Sequence, residues 1–336
     1  MLHHRFLCRA VVLSARRGLS SSPSSSANTE WLSVPNRQFI EVLGKDTKKF
    51  LQGIVTNDAN KLEKPGDCLA CIFLTAKGRV LADAMLYLLA APEDQQRVVV
   101  EVHSTLHAAL LQHLKTHKLR SAVAFQTLPL RCFLQPLGPV SYSPTAGSAI
   151  VTTSPDPRSV DFGTRILMPA EATLPASVFS AVDFEYDRFR ILRGLPEPPE
   201  LAGRVPFECN LDLLHYISFS KGCYIGQELM ARTKFRGTVR KRMQPYIAVP
   251  SPRSAPPPTA AVAAAASAPA ASAADGAEDD QEVLPESIYE SHGLGLALFP
   301  YDGGKAGGPV DAVVRSPSGA KVTVTTYRPA LFDVVV

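Results

Sequence analysis

Lys221-Gly-Cys-Tyr-Ile-Gly-Gln-Glu228 is the stretch that decides how this chain is read. One cysteine, Cys223, sits between two glycines, with Lys221 two residues before it and Gln227-Glu228 behind it. Glycines let the backbone bend sharply, a neighbouring ammonium favours a thiolate, and a carboxamide–carboxylate pair orients whatever binds beside it. Core packing asks for no such string, because Ile225 is its one large aliphatic residue. The plain alternative is a glycine-punctuated turn around a small, inert, buried cysteine.

The surrounding residues narrow the choice. The run Ser218-Phe-Ser-Lys-Gly-Cys-Tyr-Ile-Gly-Gln-Glu-Leu-Met-Ala-Arg232, followed by Phe235-Arg-Gly-Thr-Val-Arg-Lys-Arg242, closely resembles one signature. It marks the YgfZ branch of the folate-binding aminomethyltransferase T-protein (GcvT) superfamily, which includes bacterial and mitochondrial iron–sulfur cluster assembly factors. Three further blocks resemble the same family in order: Val42 to Asp58, Phe73-Leu-Thr-Ala-Lys-Gly-Arg-Val-Leu-Ala-Asp83, and Arg190-Ile-Leu-Arg-Gly-Leu-Pro196. The resemblance implies an α+β fold: a three-domain ring with a ferredoxin-like central part and a small C-terminal β-barrel. It divides the chain into a first domain of residues 30–95 and 180–238, a second α+β domain of 96–179, and a barrel domain of 239–336.

A chain of 336 residues is long for one domain and suits two or three. Its apolar fraction is 46%, enough for real cores, yet no apolar run reaches the roughly eighteen residues of a membrane span. A soluble protein without membrane insertion is expected. The net charge of +4 comes from the first 29 residues, where Arg5, Arg9, Arg16 and Arg17 stand without an acid. The remaining 35 − 4 = 31 basic residues match 31 acidic ones, which argues against a nucleic-acid binder held by bulk charge. The leader, residues 1–29, has the composition of a mitochondrial transit peptide and suits cleavage after Leu19; a disordered tail is the alternative. That places the mature protein in the mitochondrial matrix.

Six cysteines (Cys8, Cys68, Cys71, Cys132, Cys209 and Cys223) are scattered along the chain. Five in the mature chain form no disulfide scaffold, in keeping with a reducing compartment. Cys68-Leu-Ala-Cys71 has CxxC spacing but lies in a strand-like run, where residues three apart point to opposite faces. Metal or redox pairing is not expected there. His103, His107, His113 and His117 read as solvated positions: His113 and His117 share a helix face, His107 lies off it, and no carboxylate completes a site.

Local patterns predict a strand at 39–43 and a helix after Asp46 with Phe50, Leu51 and Ile54 inward. Strands at 68–75 and 79–89 meet at Ala76-Lys77-Gly78 as a hairpin. A further strand covers 97–103, and a helix capped by Ser104 covers 105–118 with Leu106, Leu110 and Leu114 as its stripe. Short strands follow at 122–128, 131–134, 149–153 and 165–168, then a helix at 186–193. Strands at 239–249, 293–299, 310–315 and 321–327 close the chain. The Ala/Pro/Ser-rich stretch 251–281 reads as a disordered insertion.

The chemistry has two candidate centres. The resemblance places the superfamily's transfer-assisting aspartate at Asp83, a carboxylate able to orient a pterin nitrogen or act as a general base; a strand-end turn bond is its plainer role. Leu192 stands where the aminomethyltransferases hold the pterin with a glutamate, and leucine offers no hydrogen bond. Cys223 is the second centre, as a nucleophile or as one ligand of a cluster shared with partner thiols, since a cubane needs about four ligands. Lys221 would keep its thiolate, and Tyr224, Gln227 and Glu228 would fix the loop or meet a partner. Arg232, with Arg236 and Arg240, would bind an anionic group such as a folate tail, or pair with Glu228. The resemblance implies maturation of 4Fe-4S proteins together with A-type scaffold proteins, with tetrahydrofolate optional. The alternative is a folate-dependent one-carbon transferase using Asp83; a redox-sensing adaptor using Cys223 is a third class.

Overall fold

The computed structural model describes residues 29–136, 149–159, 161–174, 178–181, 183–198, 200–248, 287–291, 294–300, 310–315 and 321–326. The leader up to residue 28 and the 251–281 insertion lie outside them. The described chain is α+β, with three five-stranded sheets.

The first sheet has the order β3-β4-β5-β2-β6, from β2 (Arg37–Gly44), β3 (Cys68–Leu74), β4 (Val80–Leu89), β5 (Gln96–His103) and β6 (Ala124–Leu128). All its pairings are antiparallel. The expected hairpin is there, with Cys68 opposite Tyr87. β5, which starts where the division between residues 95 and 96 was drawn, pairs with β4 and β2 on the other side of that line.

Both faces of this sheet are covered, and that explains its nearly continuous apolar strands. On one face Ile40, Val42, Phe73, Leu86, Val98 and Val100 meet two helices, α1 (Thr47–Ile54) and α2 (His107–Lys118). α1 buries Thr47, Phe50, Leu51 and Ile54, the i, i+3, i+4, i+7 stripe of an amphipathic helix; α2 buries Leu110 and Leu114. The other face, with Phe39, Ile72, Met85, Tyr87 and Val99, enters the largest core. Cys71 belongs to the helix side and Cys68 to the other, as the strand phase requires.

The second sheet, β10-β1-β7-β9-β8, comprises β1 (Thr29–Val34), β7 (Leu130–Gln135), β8 (Thr152–Pro155), β9 (Thr164–Pro169) and β10 (Val178–Ala181). Its β1–β10 pair is parallel and the others antiparallel. The third, β12-β13-β11-β15-β14, is antiparallel and comprises β11 (Lys241–Ala248), β12 (Ser287–Ser291), β13 (Leu294–Pro300), β14 (Val310–Arg315) and β15 (Lys321–Thr326). Helix α3 (Asp183–Leu192) adds Tyr186, Phe189 and Ile191 to the largest core. The long connection after it adds Leu195, Leu201, Phe207, Leu211, Leu214 and Tyr216.

Two capping expectations are corrected. Asp46 makes no cap bond to α1; its carboxylate instead accepts the Ala122 N–H at 2.7 Å and ties the helix start to the β6 approach. Ser104 does not cap α2 either: it opens a short 3₁₀ turn, Ser104–Leu106, whose cap is the His103 side chain. His113 and His117 are half-buried rather than solvated, with rings 4.2 Å apart and His113 edge-on to Phe73. Burial, then His117, pulls His113 down to about 4. Among the described residues no group of three His, Cys, Asp or Glu side chains is placed to hold a metal ion.

Candidate functional site

The cysteine loop is held by the end of α1 and by β3. Thr56 Oγ1 donates to the Tyr216 carbonyl at 2.7 Å and accepts the Ile72 N–H at 2.9 Å, while the Ser218 N–H reaches the Thr56 carbonyl at 3.1 Å. Asn57 Nδ2 donates to the carbonyls of Ala70 and His215, both at 2.7 Å. Lys221 Nζ then donates to three carbonyls, those of Gln52 and Val55 at 2.7 Å and of Asn57 at 2.8 Å. These lie at and just beyond the last turn of α1, where orphan carbonyls need donors.

This corrects the role expected for Lys221. All three ammonium protons are engaged by backbone oxygens, so the side chain is a clamp for the loop rather than a partner reserved for the Cys223 thiolate. Burial draws Lys221 down to about 8, while the three carbonyls favour its charged form. Lys221→Met is expected to cost about 1.5–3 kcal/mol, the range for hydrogen bonds made by a charged group. Urea unfolding checks it; a variant as stable as the parent would show that the clamp contributes nothing.

Past the clamp, Gly226 adopts φ +78 and opens helix α4 (Gln227–Arg236). A Cβ on Gly226 would lie 2.6 Å from the Thr75 carbonyl oxygen, and one on Gly78 would lie 2.6 Å from Leu229 Cβ. The helix start is thus seated directly on the β3–β4 turn, which only glycine permits at both positions. Gln227 Oε1 accepts the Tyr224 N–H at 3.2 Å, and the Lys221 ammonium lies 5.0 Å from the Tyr224 ring centroid. Burial, then Glu228, raises the Tyr224 phenol to about 12, so it stays neutral.

Gly222 differs from Gly226: a Cβ there would meet nothing within 4 Å. Cys223, beside it, is exposed. The loop is therefore pinned on both sides of an exposed thiol. The other described cysteines are held as protonated thiols: burial pushes Cys132 and Cys209 to about 12 and raises Cys68 and Cys71 as well. Glu228 and Arg232 are exposed on α4. Among the described residues neither Glu228 nor Arg232, Arg236 or Arg240 enters an ion pair, so the pairing reading of those arginines does not hold.

Asp83 is elsewhere. It follows the inward alternation of Met85 and Tyr87 on β4 into the largest core, where it is 1% exposed. No described contact joins it to the cysteine loop. Oδ1 has no hydrogen-bond partner among the described residues, and burial, only partly offset by Arg37, raises the carboxyl to about 6. Leu192 ends α3, half-buried.

Around Asp83 lies a buried ionic cluster that sequence reading missed. Arg165 donates from Nε to Tyr87 Oη at 2.6 Å, from Nη2 to Glu101 at 2.5 Å and from Nη1 to Asp156 at 3.2 Å. Arg158 grips Asp156 through two bonds, of 2.9 and 2.7 Å. Arg37 bridges Glu197 at 2.5 Å and Glu101 at 3.5 Å, and Arg190 pairs with Glu200 at 3.0 Å. Against the upward push of burial, Arg37, Arg190 and Arg158 hold Glu197 near 2, and Arg158 and Arg165 do the same for Asp156. One signal was available: Glu101 sits among the valines of Val98–Val102, where a lone charge implies a buried partner.

No family model matches the chain. In fold it is similar to the glycine cleavage system aminomethyltransferase T of Bartonella henselae, at TM-score 0.53 and 13% identity over 91% of this chain and 86% of that one. That likeness establishes a T-protein type of fold and nothing about activity. In sequence it is 35% identical over 271 residues to the Mycosarcoma maydis "Iron-sulfur cluster assembly factor IBA57 homolog, mitochondrial", covering 74% of this chain and 67% of that one. The Homo sapiens protein "Iron-sulfur cluster assembly factor IBA57, mitochondrial" is 32% identical over 260 residues, covering 71% of each. The chain belongs to the IBA57 family.

Proposed function

We propose that this chain is a mitochondrial iron–sulfur cluster assembly factor of the matrix, acting in the maturation of 4Fe-4S proteins through Cys223. The observation that carries this reading is the exposed thiol on a loop clamped by Lys221 and by the Gly226–Gly78 contact. One outward thiolate cannot complete a cluster, which takes about four ligands. It can supply one ligand to a cluster whose other thiolates come from a partner, here an A-type scaffold protein, before the cluster moves to a 4Fe-4S client. Lys221, Tyr224 and Gln227 position the loop, while Glu228 and Arg232 face the partner. The ring of three domains with a closed C-terminal barrel belongs to the same reading, supported by the T-protein likeness.

A second reading rests on the unpartnered Asp83 Oδ1. A buried carboxylate oxygen without a donor suits a ring N–H, so tetrahydrofolate is retained as a ligand of the central core. Leu192 offers it no hydrogen bond, and the neighbouring arginines and carboxylates are already paired with one another. One-carbon transfer is therefore the weaker reading.

The test is complementation of cells lacking the endogenous counterpart. Cys223→Ala is expected to lower restored aconitase activity at least tenfold, with glycine cleavage unchanged in both. Full aconitase rescue by Cys223→Ala, or a response of glycine cleavage alone, overturns the assembly reading and moves attention to Asp83.

A further inference from the structure

We infer that the exposed face of α4 is a docking surface for an acidic protein, with Phe235 as its apolar anchor; the inference rests on the assembly reading above. Phe235 is 71% exposed, and among the described residues only Leu119, at 86%, is a more exposed large apolar side chain. The inward side of the helix buries Met230 and half-buries Leu229 and Thr233, so Phe235 is left outside by geometry and not by a shortage of core. Arg232, Arg236 and Arg240 flank it, all exposed and, among the described residues, without an ion pair. Arg242, two residues further on, shows the contrast: it is buried and doubly bonded to Asp212 at 2.8 Å.

The basic rim continues onto the hairpin beneath. Gly78 touches Leu229 of α4, and its neighbours Lys77 and Arg79 are exposed. Glu228 is the lone acid of α4. Since residues 30–336 carry equal numbers of acidic and basic side chains, this is a local concentration of charge and not a property of the whole surface. It complements an acidic partner, because opposite surface potentials steer encounter and set register, and a central aromatic is the residue type that anchors interfaces. The face is also continuous with the thiol: Gly226 both ends the cysteine loop and starts α4. A partner that spans the length of α4, about 1.5 Å per residue, reaches the cysteine loop at its start, and thiolates or a thiolate-bound cluster on that partner add negative charge where this surface is positive. Nucleic acid would also answer a basic face with an aromatic on it, but it brings no thiolates to Cys223.

The experiment compares wild type, Arg232→Glu/Arg236→Glu, Phe235→Ser and Cys223→Ala, each with its thermal midpoint measured. These side chains are exposed, so the midpoints are expected to stay together. Binding of a purified apo A-type scaffold protein is titrated at low and high salt, alongside a labelled single-stranded oligonucleotide. Expected is at least a tenfold loss of scaffold affinity in the charge-reversed chain, a similar loss in Phe235→Ser, weakening of wild type by salt, and near-parental affinity in Cys223→Ala. Scaffold binding equal to wild type in both α4 variants overturns the inference while leaving the Cys223 reading intact. So does oligonucleotide binding lost by those variants while scaffold binding is kept. If wild type ignores the scaffold, the assigned partner is wrong, and aconitase in the complemented cells decides the surface. Loss of aconitase with an unchanged midpoint sustains docking on another acidic protein, and full rescue overturns it.

Discussion

Arg165→Ala is expected to cost about 3–5 kcal/mol of folding stability, the usual penalty for removing one member of a buried ion pair. Arg165 is 1% exposed and serves Tyr87, Glu101 and Asp156 at once. Its loss leaves Glu101 with the Tyr87 hydroxyl, at 2.6 Å, and with Arg37 as its one remaining described cation, at 3.5 Å. Asp156 fares better, because Arg158 still holds it. With native domains stable by about 5–15 kcal/mol, the variant should unfold at markedly lower urea. Two comparisons calibrate the result. Arg97→Ala, which breaks the part-exposed pair with Glu41 at 2.6 Å, should cost less, because water reaches Arg97 and can solvate what the cation leaves behind. Tyr87→Phe, which removes one hydroxyl from the cluster, should fall between them at about 1–3 kcal/mol. An Arg165→Ala midpoint no lower than that of Arg97→Ala would mean that the cluster contributes no more than a single part-exposed pair.

The opposite sign is expected for Asp83→Asn. Burial raises this carboxyl from its ordinary 3.8 to about 6, so the folded chain holds the proton to higher pH than the unfolded chain. The stability tied to that proton is fully present below about pH 4 and is lost as pH rises through 6. Above that, wild type carries a buried charge with an unpartnered oxygen, and the asparagine variant does not. The gap is about 3 kcal/mol at most, from roughly two pKa units at 1.36 kcal/mol each. Asp83→Asn should therefore be the more stable protein at pH 7.5 and equal to wild type near pH 4. Glu200, which burial lifts to about 7, shares the trend, so the difference between the two proteins is the quantity to follow. Destabilisation at pH 7.5, or a gap independent of pH, would show the carboxylate to be paired.

Where a side-chain period alone decides the outcome, the sequence was legible, whereas the local caps at Asp46 and Ser104 were not. The 68–89 hairpin, the inward stripe of α1, and the opposite facing of Cys68 and Cys71 all depend on periods of two or 3.6 residues, and they appear as expected. α4 was not foreseen, because Gln227–Arg236 has Leu229, Met230 and Phe235 as its large apolar residues, and the last of these faces outward. β1 and β10 also escaped notice. Their parallel pairing joins Thr29 to Val178, and no local pattern reports a partner so far along the chain.

The candidate site divides in the same way. Through its resemblance to the T-protein superfamily the sequence singled out Cys223 as the thiol of interest and Leu192 as a residue that offers a pterin no hydrogen bond; residue types alone left an inert cysteine turn open. Tertiary structure decided what each neighbour does. Lys221 was free to serve the thiol until folding brought the carbonyls of Gln52, Val55 and Asn57 within 2.8 Å of it. Asp83 and its ionic surroundings were assembled from positions between Arg37 and Glu200. The physical reason is one of range. Backbone preference and side-chain period act over a few residues, whereas burial and Coulomb interaction depend on distance in space, which only the folded chain sets.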